Sequence, residues 1–293
     1  ADIDLLFVKY KGIYFMKKTL IALAVAVSAV SGAAHAWTTG DFNGSFDMNG
    51  TITADAYKDK WEWMVGGALS FNNTIKEMTG DSKLLTITQS EPAPILLGRT
   101  KEAFAASIVG VGAIPLIAFS DYEGNGVALQ SSGDNGKGFF ELPMKDDSGN
   151  NLGSVKVNVT SAGLFSYSEI STGLVGITSV ASGDNTSIYY GGLVSPAIRA
   201  GKDAASAVSK FGNYNHTQLL GQLQAVNPNA GNRGQVNKNS AVSQNMVMTT
   251  GDVIASSYAL GIDQGQTIEA TFTNPVVSTT QWSAPLNVAV TYN

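Results

Sequence analysis

Cysteine is absent from the 293 residues, histidine occurs twice, and only 14% of the chain is charged. The first absence excludes a disulfide framework, a thiolate nucleophile and any cysteine-ligated zinc or iron–sulfur centre. With one histidine left in the expected mature chain, HExxH and multi-histidine metal sites are impossible. A formal net charge of −5 argues against nucleic acid as a partner, because affinity there comes mostly from Lys and Arg neutralising phosphates. The 32 glycines show no Gly-X-Y period, which rules out a collagen-like chain. No GxxxxGK[ST] occurs, and Gly133–Gly138 is a glycine-rich turn without a phosphate-binding context. Asp146–Asn150 lacks the spacing and closing glutamate of a calcium loop and reads as a polar hairpin turn. A Ser-His-Asp triad has only His216 to use, in the first turn of an expected helix, where a capping or solvated role fits better. Paired carboxylates need only be close in space, and no pattern points to such a pair. The chain reads as a non-enzyme, with no cofactor and no metal.

What is present begins with an export signal. Met16–Ala36 opens with Lys17 and Lys18, continues through the uncharged apolar run Leu20–Val30, and ends with the small residues Ala34 and Ala36 around His35. That is the layout of a cleaved secretory signal, and eleven apolar residues fall well short of the ~20 that span a bilayer. Residues 1–15 precede this start and read as upstream sequence, not part of the fold. The expected mature chain is Trp37–Asn293. The first 36 residues carry four lysines and two aspartates, so their loss moves the net charge from −5 to −7 and leaves His216 as the sole histidine. Without cysteine, the exported fold must hold together by packing and sheet hydrogen bonds alone.

Strands dominate the mature chain. Period-2 alternation marks Trp61–Val65, Leu84–Thr88, Pro115–Tyr122, Lys137–Met144, Val155–Thr160 and Gln266–Thr273, separated by Gly/Asn/Asp/Ser clusters suited to hairpin turns. The pattern predicts an antiparallel all-β protein with one interruption, at about 166–240. There Ser195-Pro196 is placed to start a helix over Ala197–Lys210, and Asn215 to cap a second with Leu219, Leu220, Leu223 and Val226 at helical spacing, ended by Asn227-Pro228. The polar stretch 229–240 follows. This segment reads as a helical and loop insertion on one sheet edge, the kind of place where binding surfaces lie.

The two ends of the mature chain alternate most cleanly. Phe42, Gly44, Phe46, Met48, Gly50 and Ile52 occupy every second position, with only polar residues between them. Leu286, Val288, Val290 and Tyr292 alternate in the same way at the other end. Pattern alone leaves open whether these are two ordinary strands of one sandwich.

Several blocks carry a resemblance: Trp37–Ser45, Lys60–Trp63, Pro94–Phe104, Tyr258–Ile262 and Gln281–Tyr292. On these, from Met16 onward, the chain resembles the major subunits of enterobacterial chaperone–usher fimbriae, in the group typified by FaeG and ClpG. The resemblance implies an incomplete immunoglobulin-like β-sandwich that lacks its last strand, a pilin domain over 54–293. A periplasmic chaperone fills the gap in transit; at the outer-membrane usher the N-terminal extension of another subunit, residues 37–53 here, replaces it by donor-strand exchange. Phe42, Gly44, Phe46, Met48, Gly50 and Ile52 would then be the donor face. Leu286, Val288, Val290 and Tyr292 would form the edge that pairs with chaperone and donor, and a glycine of the donor would suit a shallow pocket. Neighbouring copies, minor fimbrial subunits and a host glycoconjugate are the implied further partners.

Burying Phe42, Phe46, Met48 and Ile52 would yield about 6–12 kcal/mol at most. Ordering the segment's backbone costs roughly 1–2 kcal/mol per residue, so the hydrogen-bond ladder and an exposed core must supply the rest. Many pilins of this class carry a disulfide and a glycine near the C-terminus; this chain has neither, and the FaeG/ClpG group is likewise cysteine-free. Within the insertion the match is confined to Tyr189–Leu193 and Gln218–Gln224, so sugar contacts are not transferable. The expected receptor region lies near Tyr189, Tyr190, Arg199, Lys202 and Tyr214. The function expected is a fibre subunit that also adheres to host glycoconjugates, with a purely structural surface coat as the alternative. An outer-membrane β-barrel fits poorly, since the chain ends in Asn293 and contains the helical insertion.

Overall fold

The computed structural model describes residues 37, 39–43, 45–53, 56–168 and 171–293. The expectations for residues 1–36, including Ala34 and Ala36, and for Gly44 lie outside the described residues. The chain divides into two units, Ala1–Ile52 and Thr53–Asn293. In the first, the described residues form no helix or strand, and Trp37, Phe42, Phe46, Met48 and Ile52 are exposed.

The second unit is an all-β body. A large sheet runs in the order β1 (Trp61–Val65), β3 (Ala93–Thr100), β11 (Ile254–Ile262), β8 (Asn151–Tyr167), β12 (Thr267–Phe272), β2 (Leu84–Thr88). The long strand β8 carries it across. Its first half is flanked by β7 (Lys137–Lys145) and β12, its second by β11 and β9 (Val175–Ser179). Short β6 (Gln130–Ser131) extends β7, and β10 (Gln235–Asn237) joins β9 in parallel. A small sheet, β13 (Asn287–Tyr292), β4 (Pro115–Ser120), β5 (Gly126–Val127), packs opposite. Between the two sheets lies the main core, built on Trp61, Leu96, Phe119, Phe140, Val159 and Tyr258. Each is buried, and for Trp61, Phe119, Phe140 and Val159 the alternation of the strand anticipates it.

The insertion is larger in effect than an edge addition. It does add β9 and β10 at the edge of β8. Its two helices, α1 (Gly201–Lys210) and α2 (His216–Val226), instead cover the outer face of the large sheet. Ala204, Val208, Phe211, Leu219 and Leu223 meet Leu97, Ala162, Leu164, Ala255 and Ala259 there in a second core. Helix α2 begins as expected: the Asn215 side chain accepts from Thr217 and Gln218 N–H, and Gln218 returns a bond to Asn215 N–H. Helix α1 starts at Gly201, several residues after the expected Ser195 cap. Its first N–H groups are taken up by the strand β10 region, Gly201 N–H by Lys238 O and Lys202 N–H by Asn237 Oδ1. A long-range partner therefore sets this boundary in place of a local cap.

Candidate functional site

The residue pair Ile114 and Asn293 exchanges both backbone bonds (2.9 and 3.2 Å) at the end of the β4–β13 ladder. Antiparallel pairing alternates, so Thr291, Ala289 and Asn287 also bond toward β4. The N–H and C=O groups of Val288, Val290 and Tyr292 therefore point the other way, and among the described residues no strand pairs with that side. Their side chains are half-buried against the core, as are Leu286, Ala284 and Trp282 before them. Ser283 exchanges backbone bonds with Lys145, so the same alternation runs back to Trp282. The result is an eleven-residue edge, Trp282–Tyr292, with the outward backbone groups of Val288, Val290 and Tyr292 unpaired by any described strand and apolar side chains half covered.

β1 presents the facing lip. Bonds from Gly66 N–H to Ile95 O and from Lys101 N–H to Lys60 O place Trp61, Trp63 and Val65 with their backbones turned away from β3. Their side chains share the core-facing side, and burial falls steadily: Trp61 is 5% exposed, Trp63 half-buried and Val65 67% exposed. An inward-facing valine left two-thirds in solvent marks a missing neighbour. The lips touch at two points. Trp63 Nε1 donates to Tyr292 Oη at 2.8 Å, and the Phe71 ring stacks on Trp282 at 6.5 Å and 7°. Burial raises the Tyr292 hydroxyl above the usual phenol range, against the lowering effect of the Trp63 bond. A groove bounded by two aromatic clasps thus runs between β1 and β13.

Leu286, Val288, Val290 and Tyr292 all lie on this groove, together on one edge. Trp63, Val65, Phe71 and Trp282 complete it; the alternation of Trp61–Val65 signals a strand, but only the tertiary fold makes it the second lip. Of the expected donor residues, Phe42, Phe46, Met48, Gly50 and Ile52 are exposed, Phe46 at 89%.

The expected receptor residues separate. Tyr189 is fully buried, its ring among Trp61, Trp63 and Tyr258 and its hydroxyl 2.5 Å from Ser256 Oγ. Burial pushes its hydroxyl far up from the ordinary phenol range. This tyrosine is core, which corrects its placement among surface contacts. Tyr190, Arg199 and Lys202 are exposed, and Tyr214 is half-buried beneath the Arg99 guanidinium at 3.8 Å. Among the described residues no group of three or more His, Cys, Asp or Glu is placed to hold a metal, and no helix is long and apolar enough to cross a membrane.

A family model described as "Fimbrial, major and minor subunit" matches residues 16–293. K88 fimbrial protein AB of Escherichia coli is 49% identical over 286 residues, 94% of this chain and 100% of the relative. K88 fimbrial protein AC of the same organism is 49% identical over 284 residues, with the same coverage of both chains. F41 fimbrial protein of Escherichia coli is 27% identical over 292 residues, 95% of this chain and 100% of the relative. With an all-β body that leaves the β13 edge open beside β1 and a family match that runs over nearly the whole chain, this protein belongs to the fimbrial major and minor subunit family.

Proposed function

We propose that the chain is the major structural subunit of a non-covalent surface fibre, assembled by strand donation, of the ClpG-like capsule-like surface antigen type. Residues 37–53 of one subunit enter the groove between β1 and β13 of the next. The observation that carries this reading is the unpaired β13 edge beside the inward-facing but exposed Val65. Strand addition supplies main-chain hydrogen bonds, and alternate side chains fill the pockets. An unfilled groove is also an aggregation hazard, so a periplasmic chaperone escorts the subunit to the outer-membrane usher after the signal of Met16–Ala36 is removed. Minor subunits share the fibre, and adhesion to host glycoconjugates uses the insertion surface around Tyr190, Arg199 and Lys202. No catalytic role is assigned.

The test is a gel of surface extract. Unboiled material is expected to show a ladder that collapses to monomer on boiling without reductant. Phe46→Asp is expected to abolish the ladder while the subunit still reaches the periplasm, since a carboxylate cannot be buried unpaired. An unchanged ladder would overturn strand donation. A purely structural coat without its own receptor site is the second reading. Glycan-array binding by purified fibres decides between the two.

A further inference from the structure

On the strand-donation reading, the side-chain volumes along the groove select one register. We propose that the donor lies antiparallel to β13 with Gly44 crossing Tyr292 of the next subunit. Phe46, Met48, Gly50 and Ile52 then meet Val290, Val288, Leu286 and Ala284.

The inward positions of the edge are Trp282, Ala284, Leu286, Val288, Val290 and Tyr292, and the two end rings are already engaged by Phe71 and Trp63. The donor's inward positions read large, glycine, large, large, glycine, large from Phe42 to Ile52. A donor can slide only in steps of two, because a one-residue slip would turn its polar face inward. One step toward the N-terminus of β13 sets Phe42 on Tyr292 and Ile52 on Trp282, both occupied by clasps, and leaves Gly44 over Val290 and Gly50 over Ala284 as voids. One step the other way sets Phe46 on the Trp63–Tyr292 clasp and Gly50 over Val288. In the proposed register each glycine meets a large groove residue, Tyr292 or Leu286, and each large donor side chain meets a smaller one. Phe42 falls just past Asn293, beside the loop before Ile114 where Ile108 and Val111 stand exposed. The large–small pattern is the same read from either end, so a parallel strand would place Gly50 on Tyr292 and Gly44 on Leu286. Antiparallel seating is favoured because it continues the antiparallel pairing of β13 with β4 and is the more stable ladder.

The absence of cysteine makes a clean test. In the proposed register the odd-numbered residues face one another as non-hydrogen-bonded pairs, with Cα atoms ~4.5 Å apart and within disulfide reach. Fibres carrying Ser45→Cys with Thr291→Cys are expected to give a covalent ladder on a boiled, non-reducing gel, lost on reduction. Ser45→Cys with Ala289→Cys reports the slid register, and with Asn287→Cys the reversed strand; a ladder from either overturns the proposal. So does the lack of any covalent ladder from fibres that still show the heat-labile one. If the cysteine-free parent shows no heat-labile ladder, strand donation itself fails and the register with it. A second set of variants does not depend on crosslinking. Gly44→Leu is expected to abolish assembly and Tyr292→Ala in the same chain to restore it; restoration by Leu286→Ala instead would mean the reversed strand and overturn the assignment.

Discussion

A methyl group at Gly98 would lie 2.2–2.6 Å from three atoms of the Trp63 ring, which crosses β3 at this residue. Trp63 is the residue that reaches across the groove to Tyr292, so the width of the groove depends on the absence of a side chain on a neighbouring strand. Gly98→Ala is expected to cost about 1–3 kcal/mol through overpacking and to lower the temperature at which fibres fall to monomer on a gel. Asn213 acts on the same strand from the other face. Its Nδ2 donates to Gly98 O and Tyr258 O, both at 2.8 Å, satisfying two strand carbonyls under the helical layer. Asn213→Ala removes one accepted bond from each carbonyl, at about 0.5–1.5 kcal/mol per bond lost. Urea denaturation of the chaperone-bound subunit measures the loss, and a change below 0.5 kcal/mol, the usual range of surface substitutions, would contradict it.

Among the elements, α2 carries the clearest dependence on pH. Burial, reinforced by Lys202, holds the His216 imidazole below the ordinary histidine range. Its Nδ1 is buried without a hydrogen-bond partner. The unfolded segment therefore takes up a proton more readily than the folded one. The stabilisation is complete above the unfolded value of ~6.5 and is lost as pH falls through the lower folded value. Corrected for the intrinsic slowing of exchange in acid, the protection of α2 amides is expected to fall from pH 7 to pH 5 by more in the parent than in His216→Gln; equal falls would contradict this. The elements also differ in how legible they are. β1, β2, β4, β7, β12 and β13 each bury one face, and their alternation is visible in the chain. β11 has every residue buried, because α1 and α2 cover the face opposite the main core, and β3 is nearly so. Strands covered on both faces lose the alternation, so Ile254–Ile262 and Ala93–Thr100 carry no such signal. The start of α1 was displaced for a related reason, its cap coming from Asn237 and Lys238. At the groove, the donor pattern and the β13 edge are local and readable. The second lip and the burial of Tyr189 depend on residues more than a hundred positions apart.

At the scale of the whole molecule, the proposed strand donation gives each subunit one extension and one groove, which are different surfaces. Such a contact is heterologous and does not close on itself, so it builds an open filament of any length. The same asymmetry means that the two halves can be disabled separately. Phe46→Asp removes the donor face and leaves the groove intact. Val65→Asp places a charge on the facing lip, where the side chain is already 67% exposed and folding has little to lose, while the extension stays intact. Neither variant alone is expected to polymerise. Mixed, the Val65→Asp extension fills the Phe46→Asp groove, and the resulting pair has a disabled donor at one end and a disabled groove at the other. The unboiled gel of the mixture should therefore show a heat-labile dimer and nothing longer. A ladder beyond two would mean that subunits adhere through another surface, and no dimer at all would mean that extension and groove do not belong to one another.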